Sequence, residues 1–271
     1  MDDYKLPLTK SEFRPEGILE AAGVRYCIVG DLIILALGYP LVPCDFQLAI
    51  ADEQLETARS ALALGGYQEV PQTHERFFAE SATKESKTGW PGYRFLPNDA
   101  GEWTTSTIIM PAKFWHLDLS RDSWSRNSVL IPDTPCRFPR RLIYFQAIID
   151  IVAGRYSAEG LNHTITSYFE GHYVFLLGFV NDIIAHLPSE DQFFVDLFRK
   201  VILRSVRQKI CYQRQQIRAG MITPEVARAL IPRKDLKLET IKRKYRARAN
   251  SNDSGDNDLE LTSIIEPSSI A

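Results

Sequence analysis

The sequence is short of the features that mark specialised classes of protein. Only four cysteines occur in 271 residues, at positions 27, 44, 136 and 211. They show no close pairing and no metal-ligand spacing, which argues against a disulfide scaffold or a zinc site. The longest apolar run, residues 173–180, falls well short of the roughly 20 residues that cross a bilayer. No membrane segment is expected. The opening MDDYKLPLTK is acidic and has no apolar signal core, so an intracellular, reduced protein of cytoplasm or nucleus is expected. The net charge is only -2, too small to announce nucleic acid or membrane binding by the chain as a whole. No repeat of fixed period is present.

What is there is a core-forming composition, 45% hydrophobic and 24% charged, with an uneven distribution of charge. Residues 1–139 carry 13 basic and 19 acidic side chains, whereas residues 140–271 carry 19 and 15. The halves are expected to do different work. Pro15 and Gly23 bracket a short helix, and VRYCIV over residues 24–29 reads as a strand ending at Gly30-Asp31. A buried helix, LIILALG, follows. CDFQLAI over residues 44–50 alternates with period two, placing Asp45, Gln47 and Ala49 on one face, and predicts a half-buried strand. Asp52 is the expected N-cap of a helix that ends at Gly65-Gly66. Strands are expected at residues 67–70, 93–96, 104–110 and 114–119, with a long polar excursion over residues 71–92. From Arg140 the pattern is helical, over residues 140–153, 164–186 and 190–219, and again briefly after Thr223-Pro224. Residues 250–271, rich in Ser, Asn and Asp, are expected to be a disordered acidic tail.

The stretches that carry chemistry are IVGDLIILALGYPLVPCDFQLAI and TTSTIIMPAKFWHLDLS, with the Pro/Arg-rich lead into FQAIID. A glycine turn before a helix presents backbone N–H groups to phosphate. Carboxylates two apart on a strand share a side and can hold Mg²⁺. Over roughly residues 15–155 the chain resembles the nucleotidyltransferase superfamily, in particular fungal nucleotidyltransferase-like proteins. The resemblance implies an α/β (α+β) fold, a small mixed sheet with flanking helices, followed by a helical C-terminal region. The change of pattern at Arg140 divides the chain into an α/β domain over residues 1–139, a helical region over residues 140–249 and the tail over residues 250–271. The resemblance further places Gly30 and Asp31 at the nucleotide's phosphates, and Asp45 with Asp118 as catalytic and metal-binding acids.

The chain departs from that pattern in ways that bear on activity. Asp31 stands where the family has Gly or Ser, and a carboxylate there repels a polyphosphate while suiting a helix start. Gln47 replaces the second acid of the strand, and a neutral amide is a poorer Mg²⁺ ligand. The strand over residues 104–110 holds Thr and Ser but no acid, which leaves Asp118 as the nearby substitute. The expected function is therefore a degenerate member of the superfamily, a non-catalytic binding or accessory protein with no cofactor. Were it active, Mg²⁺ would be the cofactor and nucleotidyl transfer to a small molecule or protein the reaction.

Other groups give weaker signals. His116 and Asp118, two apart on an expected strand, read as a base with its orienter or as plain edge residues. His163, His172 and His186 lack the three- or four-residue spacing of helical metal ligands. Trp90, Trp103, Trp115 and Trp124 line a groove or cover a sheet. On the expected helix over residues 190–219, Lys200, Arg204, Arg207, Arg214 and Arg218 fall in one sector. Residues 199–248 hold 16 basic and 3 acidic side chains. That stripe suits a phosphate-rich partner, RNA, DNA or a nucleotide held against the N-terminal domain, and makes a nucleic-acid-binding or scaffold protein the alternative function. A solvated face, or one neutralised by the chain's own acids, is the favoured reading of it.

Overall fold

A computed structural model describes residues 4, 14–43, 45–72, 90–101, 104–132, 134–157, 163–201 and 203–231. The expectations at Cys44, at Trp103, across most of the excursion over residues 71–92, and in the basic stretch and tail beyond residue 231 lie outside the described residues.

The chain begins with α1 (Arg14–Ala21), β1 (Tyr26–Val29) and α2 (Asp31–Ala36). Next come β2 (Asp45–Ile50), α3 (Leu55–Leu64), β3 (Tyr67–Val70), β4 (Tyr93–Pro97) and β5 (Ser106–Pro111). Five strands form one mixed sheet in the order β1-β2-β5-β4-β3. Only β2 and β5 run parallel; β1 is antiparallel to β2, and β4 is antiparallel to both β5 and β3. β2 is thus a central strand, and this overturns its expected half-burial. Asp45 and Gln47, on its polar face, are both buried. Helical cover on both faces is what buries them: α1 and α3 lie over the Phe46 side, while a later helix closes the Gln47 side.

Three local expectations change here. Asp52 does not cap α3 but opens a 3₁₀ turn (Asp52–Gln54), and its Oδ1 accepts from the Lys113 N–H at 3.2 Å. Residues 114–119 are not a strand. A 3₁₀ turn (Ala112–Trp115) drives Trp115 into the core and leaves His116 left-handed at φ 52°. His116 and Asp118 therefore lose the shared strand face that would have made them a pair.

Beyond this come α4 (Trp124–Asn127) and a two-stranded sheet of β6 (Ser128–Leu130) and β7 (Arg137–Pro139). The helical part consists of α5 (Arg141–Ser157), α6 (His163–Leu177), α7 (Ser189–Phe198), α8 (Arg204–Arg218) and α9 (Pro224–Ala229). α5 is buried along most of its length, from Tyr144 through Ala153. The two helices expected to be longest are shorter. α6 stops at Leu177 rather than 186, with Arg141 gripping the Phe179 carbonyl and Asp182 beyond its end. The helix expected over residues 190–219 breaks after Phe198, and the Arg207 Nε donates to the freed Val201 carbonyl at 2.8 Å. Lys200 thus lies in the turn and only the four arginines of the stripe ride on α8. Thr223 caps α9 through its side chain, as its place before Pro224 suggests. Among the described residues no helix is long and apolar enough to cross a membrane.

Candidate functional site

Register alone explains much of the geometry on the Gln47 face. Asp45 pairs across the sheet with Ser106, while Gln47 and Arg94 both flank Ile108. Side chains two apart along a strand, and partners across it, share a face. Asp45, Gln47, Ser106 and Arg94 are therefore gathered on one side, with Val29 of β1, the partner of Gln47, beside them. Arg94 Nη1 donates to Asp45 Oδ1 at 2.7 Å and to Ser106 Oγ at 2.5 Å. The Ser106 hydroxyl donates to the same Asp45 oxygen. Both charged side chains are buried, at 2% exposed for Arg94 and 6% for Asp45. Burial raises the Asp45 carboxyl above the ordinary carboxylate range, against the downward pull of Arg94 and Ser106.

Next to this triad stands the glycine turn. Gly30 adopts φ 72°, a left-handed conformation that disfavours a side chain, and α2 starts directly after it. A Cβ at Gly30 would fall 2.2 Å from Gln47 Oε1 and 3.1 Å from the Tyr168 hydroxyl. The space beside the turn is thus filled by the protein's own polar groups. The Gly30 N–H donates to the Tyr144 hydroxyl at 3.1 Å. The Tyr168 hydroxyl lies 3.2 Å from Asp31 Oδ1 and 3.1 Å from Gln47 Oε1, placed to donate to either. His172, one turn on along α6, brings Nδ1 to 3.9 Å from Asp31 Oδ1 and leaves its Nε2 buried without a partner. Burial holds that imidazole below its ordinary value, with Asp31 pulling the other way.

The structure brings Gly30, Asp31 and Asp45 to one region and leaves Asp118 out of it. Asp118 is exposed, its Oδ1 accepts from the Ser120 N–H at 2.9 Å, and its carbonyl accepts from Asn127 at 3.0 Å. These bonds fasten the turn before α4, and none reaches Asp31 or Asp45. As a Mg²⁺ site the donor set does not fit. The one strand carboxylate is held by a guanidinium, its strand neighbour is an amide committed to Tyr168, and the third acid lies elsewhere. Among the described residues no group of three or more His, Cys, Asp or Glu could hold a metal ion.

The three described tryptophans pack against the protein's own rings and backbone, Trp90 and Trp115 both touching Phe114. Trp90 packs edge-on against Tyr168 at 5.1 Å, and Trp115 lies between Tyr144 and Phe169. Trp124 donates its indole N–H to the Tyr26 carbonyl at 3.0 Å. As for the basic stripe, Lys200 pairs with Asp196 and Arg207 with Glu170. Arg214 is buried against Asp191 and Asp150, and Arg218 reaches Asp150 and Glu190. Arg204 alone of the five has no ion pair among the described residues.

Sequence reasoning missed Arg94, Ser106, Tyr144 and Tyr168, and dismissed His172 with the other histidines. Arg94 left a trace, a lone charge inside the strand YRFLP, which demands a buried partner once that strand is central. The tyrosines left none, because nothing local to α5 or α6 says that their hydroxyls meet the Gly30 turn. No protein-family model matches the chain, and neither a curated protein nor a solved structure matches it.

Proposed function

We propose that this chain is a nucleotidyltransferase-like protein whose phosphate and metal positions have been taken over by its own side chains, and that it serves as a non-catalytic binding or accessory protein. One observation carries the reading: the Asp45 carboxylate, where the resemblance puts a metal ligand, is held by Arg94 and Ser106. A guanidinium in contact with that carboxylate supplies internally the positive charge that a metal would bring, and it repels a second cation. Gln47 and Tyr168 beside Gly30 support the reading in the same way, since they occupy the volume a phosphate would need.

The sheet order is compatible with this reading, but it carries no chemistry by itself. The alternative of a nucleic-acid-binding stripe draws less support, because four of its five cations already hold the chain's own acids. The test is calorimetric titration with ATP, GTP, CTP and UTP, first in Mg²⁺ and then in EDTA. No Mg²⁺-dependent heat is expected. Mg²⁺-dependent binding that is abolished by Asp45→Asn, a substitution that keeps the side chain's shape, would sink the proposal and favour a working transferase.

A further inference from the structure

The other face of the sheet carries a cavity of about 340 Å³, within the size range of small-molecule sites. Its floor is formed where β2 and β5 begin, by the register partners Phe46 and Thr107. Tyr67 and Pro97, paired between β3 and β4, form a wall. The rings of Phe46, Tyr67 and Pro97 thus alternate with the hydroxyls of Thr105 and Thr107 around a cavity of mixed polarity. Neither hydroxyl makes a hydrogen bond to a described residue.

The charged groups lie together at the rim. Arg14, the first residue of α1, holds its guanidinium 5.5 Å from the Tyr67 ring centroid, and its Nη2 donates to the Gly65 carbonyl at 3.2 Å. Across from it, Asp99 Oδ1 is 3.5 Å from Arg14 Nη1. The two side chains are 47% and 78% exposed, so their mutual attraction is screened and easily exchanged for other partners. The rim thus offers one cation and one anion side by side over a floor that holds the Phe46 ring. A simple anion would meet Asp99 as well as Arg14, and a simple cation would meet Arg14 as well as Asp99. A molecule bearing both charges a few bonds apart satisfies both.

We propose that this cavity binds an aromatic α-amino acid as its zwitterion. The carboxylate lies on Arg14, the ammonium on Asp99, the ring against Phe46 and Tyr67, and the free threonine hydroxyls serve any polar atom on the ring. The site is on the opposite face from Asp45 and does not depend on the fate of the nucleotide site.

The experiment is calorimetric titration of the full chain with L-phenylalanine, and in parallel with 3-phenylpropionate and 2-phenylethylamine, which each lack one of the two charges. Saturable binding of L-phenylalanine is expected, weakened about tenfold or more by loss of either charge. Arg14→Gln and Asp99→Asn, both at exposed positions, are expected to weaken it by a similar factor while leaving the circular dichroism spectrum and melting temperature unchanged. Absence of saturable heat up to about 10 mM ligand would overturn the proposal. So would binding of either analogue as tight as that of L-phenylalanine, or binding indifferent to both substitutions.

Discussion

Glu16 is fully buried on α1, and among the described residues neither of its carboxylate oxygens meets a hydrogen-bond donor. Removal from water raises its pKa from 4.5 to about 8, only slightly offset by the backbone. The groups that face it from other elements are Tyr26, Tyr67 and Cys136, none of which supplies a positive charge. At neutral pH the folded chain therefore keeps a proton that the unfolded chain gives up. Below pH 4.5 both states are protonated and the residue has no effect. Between that value and about 8 stability falls as pH rises, by an amount on the order of 4 kcal/mol, and then levels off. Urea unfolding from pH 5 to pH 8 is expected to show this decline, and Glu16→Gln to flatten it. An unchanged slope in the variant would place the dependence elsewhere. Asp45 differs from Glu16 because Arg94 and Ser106 meet it. Separating that pair would leave a buried charge uncompensated, which is why a carboxylate and a guanidinium persist together inside the sheet.

At the scale of elements, α8 decides what its arginines can do. Arg214 is 3% exposed and shared between Asp191 and Asp150, so it ties α8 to α7 and α5. Arg204, one end of the same helix, is exposed and unpaired among the described residues. Arg214→Ala is expected to cost roughly 3–5 kcal/mol, since it takes the close partner from the fully buried Asp191, while Asp150 keeps Arg218. Arg204→Ala is expected to stay within about 0.5 kcal/mol, as surface changes do. Thermal melts of the two variants check the contrast, and similar losses would contradict it. Periodicity places Arg204, Arg207, Arg214 and Arg218 in one sector of α8, though not Lys200, and it cannot say that three of these four meet acids. It also ran α7 and α8 together, because residues 199–203 contain neither Gly nor Pro. The break comes instead from packing, with Val201 buried beside Phe198 and Arg207 satisfying the interrupted carbonyl. The stretch over residues 114–119 failed for a similar reason: its apolar residues suit a strand, yet burying Trp115 between Tyr144 and Phe169 takes a tight turn.

For the whole molecule, the core runs without interruption across residue 139. Val29 and Ile108 of the sheet belong to the same buried cluster as Ile148 and Phe194 of the helices. Tyr144 on α5 accepts from the Gly30 N–H, and Tyr4 donates to the Pro139 carbonyl at 2.8 Å. Such sharing couples the sheet to the helices. The four tryptophans all precede residue 139, whereas α5 to α8 follow it. In space, however, Trp90 and Trp115 pack against α5 and α6 and Trp124 against β1, so tryptophan fluorescence reports on the junction of the sheet with the helices and far-ultraviolet circular dichroism mainly on the helices. Their denaturant transitions are expected to coincide, as for one cooperative unit. Two separated midpoints would mean that the halves unfold independently.

The amino-acid order by itself determined the local elements whose signals are local. Gly23 ends α1, Gly30 separates β1 from α2, and period-two alternation marks β2. Pro224 after Thr223 starts α9. It also determined that Asp31 follows the Gly30 turn and that Gln47 stands two residues after Asp45 on the same strand face. Tertiary structure alone decided what those residues touch. Arg94 lies 49 residues from Asp45 and Tyr168 lies 121 from Gln47. Contacts of that separation leave no periodic mark in the chain, because they depend on which strands become neighbours and which helix closes the face above them.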